Sequence, residues 1–180
     1  MDTPLHPALE RLSFLLGVWE GAGVGGHATM DGFRFGQEVT FTHTGRPYLV
    51  YTSTAWRLDD DGRIGETVAA ESGFWRPVSA ARPGADGAQA GAEEAEGLDN
   101  GVEVLLTHPE GYSEVYVGTV AFRRVELHTD VVARTETAHE VTGGHRLYGM
   151  IGEDLGYAWD IAAFGEPLQS YLSAQLKRVR

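Results

Sequence analysis

The sequence contains no cysteine. That absence removes disulfides, thiol catalysis and thiolate-ligated metals together. Long hydrophobic runs are also missing: nothing approaches the roughly 20 apolar residues of a membrane-spanning helix. Basic residues are scarce, 14 against 26 acidic ones, for a net charge of −12. A surface of that sign repels phosphate backbones and anionic lipid, so neither nucleic acid nor a membrane is an expected partner. The first residues are polar, include Pro4 and lack the apolar stretch of a secretory leader, so a cytoplasmic protein is expected. At 180 residues the chain suits one domain with a sizeable core.

Helical periodicity is nearly absent. One set, Leu5, Ala8, Leu9, Leu12, Leu15 and Leu16, has helical spacing and predicts a short helix over Leu5–Leu16. Asp2 or Thr3 would cap it, with Pro4 in its first turn.

What the chain does have is alternation. Gly17-Val18-Trp19-Glu20-Gly21-Ala22-Gly23 puts Gly17, Trp19, Gly21 and Gly23 on one face of a strand. Trp19 therefore stands in a lane cleared of side chains, which suits the plugged end of a small antiparallel barrel and a core role. A glycine-rich bend is expected over Val24–Gly32. Alternation then returns at Gly36–Thr44, Tyr48–Arg57 and around Glu71–Arg76. It continues at Val102–His108, Tyr112–Arg124, Val125–Val132, His139–Val141, Arg146–Ile151 and Leu155–Ala163, with a turn expected at Gly143-Gly144. Short strands with turns roughly every 8–12 residues indicate an all-β sandwich or barrel. Residues 80–100, rich in alanine, glycine and acidic side chains, read as a flexible insertion between two strands. Asp59-Asp60-Asp61-Gly62 lacks EF-hand spacing and reads as a solvated hairpin turn. In the tail, Leu168, Tyr171, Leu172 and Leu176 suit a helix face, while Leu172, Ala174 and Leu176 suit a strand.

Four segments in order carry a resemblance to a known family. They are Gly17-x-Trp19-x-Gly21-x-Gly23, Phe33 to Pro47, Glu71-Ser72-Gly73-Phe74-Trp75-Arg76, and Pro167 to Arg178. The chain resembles the nitrobindins over almost its whole length. The resemblance implies an all-β, ten-stranded antiparallel β-barrel like that of fatty-acid-binding proteins, closed by the tail as a strand. It also implies one ferric haem b near the mouth, nitric oxide binding and conversion of peroxynitrite to nitrate. In the family a threonine after the first strand touches the haem, and here Thr29 is retained. The family's axial histidine falls on Tyr171, and a histidine sometimes found on the opposite side aligns near Ala69.

A phenol, with an ordinary pKa near 10, is a poorer iron ligand at neutral pH than an imidazole. Ferric iron does bind phenolate in catalase-type haem. Such ligation wants a nearby cation, for which Arg46 and Arg76 are candidates. The expectation is a barrel with a pocket for a small apolar ligand or haem, its iron chemistry impaired or absent. The alternative is a ferric haem protein ligated by Tyr171, and a homodimer stays open. Among the histidines, His27 is either a loop residue or a ligand reaching the iron from beside Thr29. No two of the seven histidines have the i, i+4 helical spacing of a zinc site. Asp130, Glu136 and Glu140 read as solvated.

Overall fold

The computed structural model describes residues 3–78 and 100–180; of the insertion expected at 80–100, all but Asn100 lies outside them. A 3₁₀ helix, Pro7–Leu15, precedes ten antiparallel strands. These are β1 (Gly17–His27), β2 (Met30–His43), β3 (Leu49–Leu58), β4 (Ile64–Val78) and β5 (Gly101–His108). They continue as β6 (Tyr112–Ala121), β7 (Arg124–Arg134), β8 (Val141–Ile151), β9 (Asp154–Ala163) and β10 (Gln169–Arg178). Every strand pairs with its sequence neighbours, and β10 pairs with β1 to close the barrel. Closure leaves no sheet edge to template aggregation. No helix among the described residues is long and apolar enough to cross a membrane.

The tail is thus the closing strand, with Leu172 and Leu176 buried as the period-two reading requires. The N-terminal helix is shorter and tighter than its apolar spacing predicts. Pro7 occupies its first turn, and the residue before a proline is pushed to extended backbone, so His6 becomes the cap at φ −67°, ψ 134°. The His6 Nδ1 atom accepts from the Ala8 amide at 3.2 Å. Thr3 and Pro4 lie outside the helix.

That helix plugs one end of the barrel. Trp19 is fully buried beneath it and donates its indole N–H to the Leu15 carbonyl at 2.7 Å. Arg178, directly across the β1–β10 ladder, lays its guanidinium 4.4 Å from the Trp19 ring centroid and donates to the Phe14 carbonyl at 2.7 Å. Helix, first strand and last strand therefore meet at one indole.

The glycines after Trp19 serve close packing. A Cβ at Gly21 would run into the Gln175 carbonyl oxygen of β10, and one at Gly25 into the Phe33 ring and Leu172. Hence β1 runs on to His27, and the bend expected over Val24–Gly32 shrinks to the turn at Ala28-Thr29. Gly143-Gly144, expected to be a turn, lies inside β8 at a register shift. A Cβ on Gly144 would sit 2.7 Å from the Tyr116 hydroxyl. Residues 139–140, expected in a strand, precede β8 in irregular backbone. The β6–β7 turn has no glycine: Phe122 and Arg123 adopt φ of 48° and 61° themselves.

Candidate functional site

Pairing of Gly25 with Leu172 and of Trp19 with Arg178 puts the C-terminal end of β1 and the start of β10 at the end opposite the plug. Gly25 lies six steps along the strand from Trp19, about 20 Å at roughly 3.3 Å per residue. At that far end opens a cavity of about 270 Å³ lined by Ala69, His108, Tyr112, Trp159, Phe164 and Tyr171 among others. Ligand pockets for drug-sized molecules usually span roughly 300–1,000 Å³, so this one is small as it stands.

Tyr171 reaches the cavity because β10 is irregular there. Ser170 pairs with Asp160 and Leu172 with Trp159, leaving Tyr171 as the extra residue of a β-bulge. A bulge re-aims a side chain, and here it lets Tyr171 line the pocket while its neighbour Leu172 is also buried. The phenol ring meets the Trp159 indole edge-on, centroids 5.1 Å apart. Burial, Glu110 and Glu71 all raise its pKa above the ordinary value. The two cations considered for it lie elsewhere. Arg46 is exposed in the turn after β2, and Arg76 pairs with Glu103 at 2.9 Å on the outer wall.

The buried cation is Arg146, a residue the sequence reading did not single out. It lies inside the barrel with its guanidinium 3.8 Å from the Trp159 ring centroid. Its Nη1 and Nη2 donate to Glu71 Oε1 and Oε2, each at 2.8 Å, the bidentate geometry that suits a guanidinium. Tyr51 donates to Glu71 Oε1 at 2.6 Å, and Tyr116 donates to Glu114 Oε1 at 2.7 Å. Burial alone would raise the Glu71 carboxyl, but the charge and hydrogen bonds of Arg146 outweigh it and hold the group down at about 2.

His108 joins this network to the cavity. Its Nε2 lies 3.0 Å from Glu114 and its Nδ1 3.7 Å from Glu71, and its ring stacks on Tyr112 at 4.0 Å. Both ring nitrogens therefore face carboxylates, and Nε2 is within hydrogen-bonding distance of Glu114.

Thr29 stands exposed in the β1–β2 turn, next to Met30, which lines the cavity. Its hydroxyl is 3.2 Å from His27 Nδ1. His27 belongs to β1 and is buried, so the loop reading is corrected. Its ring packs edge-on against Phe164 of the pocket wall, centroids 5.7 Å apart, and its buried Nε2 has no hydrogen-bond partner among the described residues. Ala69 does line the cavity. Gly17, Trp19, Gly21 and Gly23 belong to the plug and the closing seam. Asp130, Glu136 and Glu140 are exposed.

A haem held through Tyr171 does not fit these residues. The phenol is biased toward its neutral form by apolar burial and by carboxylates, the reverse of what a phenolate ligand requires. The aromatic walls, in contrast, suit a flat apolar guest.

Comparison with known proteins agrees with this architecture. The family described as the THAP4-like, heme-binding beta-barrel domain matches residues 8–178. A "Ferric nitrobindin-like protein" of Thermobifida fusca (strain YX) is 52% identical, covering 99% of this chain and 98% of its own. A "Peroxynitrite isomerase" of Parafrankia sp. (strain EAN1pec) is 50% identical over 97% of this chain and 81% of its own. The crystal structure of Rv2717c from M. tuberculosis superposes with a TM-score of 0.78 at 34% identity, covering 98% of this chain and all of that one. With its plugged, closed ten-stranded barrel and a sequence match from end to end, the chain belongs to the nitrobindin-like, THAP4-type haem-binding barrel family.

Proposed function

We propose that this chain is a single nitrobindin-like barrel domain that keeps the family pocket but does not anchor haem iron. It binds a small apolar ligand, and peroxynitrite isomerisation is impaired or absent. One observation carries this reading. Tyr171, which the resemblance aligns with the family's axial histidine, holds its partly buried phenol against Trp159 and is acted on by Glu110 and Glu71. The acidic influence disfavours phenolate, and the guanidinium of Arg146 is spent on Glu71 and Glu114.

The test is a haemin titration followed in the Soret region, on the wild type, Tyr171→Ala and Tyr171→His. The expected result is no sharp band in the wild type or the alanine variant, and a sharp one in the histidine variant. A sharp band in the wild type that is lost in Tyr171→Ala would overturn the proposal in favour of tyrosinate ligation. A wild-type band that survives in Tyr171→Ala would equally overturn it, and point to a different ligand such as His27.

A further inference from the structure

On the outer wall, away from the cavity, two histidines and a carboxylate converge from different strands. Glu126 and His128 are two apart on β7, so both side chains leave the same face of the sheet. His145 of β8 is the direct cross-strand partner of His128. The two imidazoles stack with centroids 4.6 Å apart and planes 26° from parallel. His145 Nε2 lies 3.1 Å from Glu126 Oε1, and His128 Nε2 lies 4.0 Å from the same oxygen. One ligand atom from each of the three residues falls within 4.8 Å of the others.

We propose that Glu126, His128 and His145 form a site for a zinc-class divalent cation, independent of the pocket. The distances suit it. With metal–nitrogen and metal–oxygen bonds of about 2.0–2.1 Å, tetrahedral ligand atoms lie about 3.3 Å apart. The two separations from Glu126 Oε1, 3.1 and 4.0 Å, bracket that figure, and the two imidazole nitrogens lie within 4.8 Å of each other. His128 is the more exposed of the two rings, and binding would turn it out of its stack on His145 so that the metal lies in the plane of both imidazoles.

The surroundings are arranged as metal sites arrange theirs. A ligating histidine usually gives its other nitrogen to a carboxylate, which fixes the tautomer and aims the ring. Here His145 Nδ1 lies 3.4 Å from Asp160 Oδ2, while Asp160 Oδ1 accepts from the Ser170 hydroxyl at 3.1 Å. The result is a line of side chains from β10 through β9 to Nδ1 of His145, with Nε2 turned toward Glu126 of β7. Glu126 is oriented in the same way. Arg124 Nη2 lies 3.3 Å from its Oε2, leaving Oε1 to face both imidazoles.

The place in the fold also fits. The β7–β8 ladder ends at the His128–His145 pair. Beyond it the Thr129 hydroxyl accepts from the Gly144 amide at 2.7 Å. A metal bridging β7 and β8 would fasten the sheet where its backbone pairing stops. Soft thiolate competition is absent because the chain has no cysteine, and a net charge of −12 draws cations to the surface. Three protein ligands leave the fourth position to water, so exchangeable binding is expected.

The experiment uses untagged full-length protein stripped with a chelator. Zinc alone is titrated by calorimetry, and cobalt(II) alone by its visible d–d spectrum, against wild type, His128→Ala, His145→Ala and Asp160→Asn. The expected result is one saturable site, weakened at least tenfold in either alanine variant and about 10–100-fold in Asp160→Asn. Zinc should also raise the thermal midpoint of the wild type but not of the alanine variants, since a ligand bound only by the folded state stabilises it. Far-ultraviolet dichroism checks that each variant is folded. Failure of zinc to saturate the wild type, or wild-type binding by either alanine variant, would overturn the proposal. Haemin plays no part in this experiment, so it stands or falls apart from the reading of the pocket.

Discussion

Arg146 on β8 grips Glu71 on β4 across the barrel interior through two parallel hydrogen bonds of 2.8 Å. Three strands separate β4 from β8 around the ring, so this pair ties walls that no backbone ladder joins. It also sets the charge beneath the pocket floor, because His108 reaches Glu71 from the cavity side.

Removing Arg146 leaves two buried carboxylates, Glu71 and Glu114, without their guanidinium, and removing Glu71 leaves the buried guanidinium with Glu114 alone. Glu71→Gln and Arg146→Met are each expected to cost about 3–5 kcal/mol, read as a lower urea midpoint at unchanged slope. The double variant Glu71→Leu with Arg146→Met should lose less than the sum, since neither member of the pair is left buried alone and Glu114 keeps His108 and Tyr116.

The same carboxylate makes stability depend on pH in one direction. The folded value of Glu71, about 2, lies below its ordinary 4.5. Its contribution is therefore complete above 4.5 and drains away as pH falls toward 2, worth about 3 kcal/mol in all. Acid titration of the folding free energy should be shallower across that window in Glu71→Gln than in the wild type.

Gly21→Ala tests the closing seam. The new Cβ meets the Gln175 carbonyl of β10, which is backbone and cannot swing aside. A loss of about 1–3 kcal/mol is expected, of the size typical for overpacking, with the barrel retained by circular dichroism.

Tyr171 separates ring from hydroxyl. Among the described residues its edge contact with Trp159 is aromatic, and no side-chain hydrogen bond involves its hydroxyl. Tyr171→Phe should therefore change stability by less than about 1 kcal/mol, whereas Tyr171→Ala gives up the aromatic pair and more. Thermal unfolding of the two variants side by side checks the difference.

Some of this was legible residue by residue. The alternation of Val39 and Phe41 is a local property that survives in a list of letters, and it reads as a strand; in the tail, Leu172 and Leu176 suit a helix face as well, and pairing with β1 and β9 makes it a strand. The helix starts later than its apolar spacing predicts because Pro7 acts through backbone sterics on His6, which that spacing does not report. Gly144 and Gly25 differ from their expected turns for the opposite reason. A glycine that makes a turn and one that makes room look alike until the neighbour filling the room is known.

By itself the sequence determined the strand content, the absence of thiol chemistry, the acidic surface and the indole in its glycine lane, because each depends on residues adjacent in the chain. Tertiary structure alone decided that a bulge turns Tyr171 inward, that Arg146 finds Glu71, and that His145 lies beside His128 and Glu126. Those are matters of register between distant strands, where a shift of one residue would send each side chain to the other face of the wall.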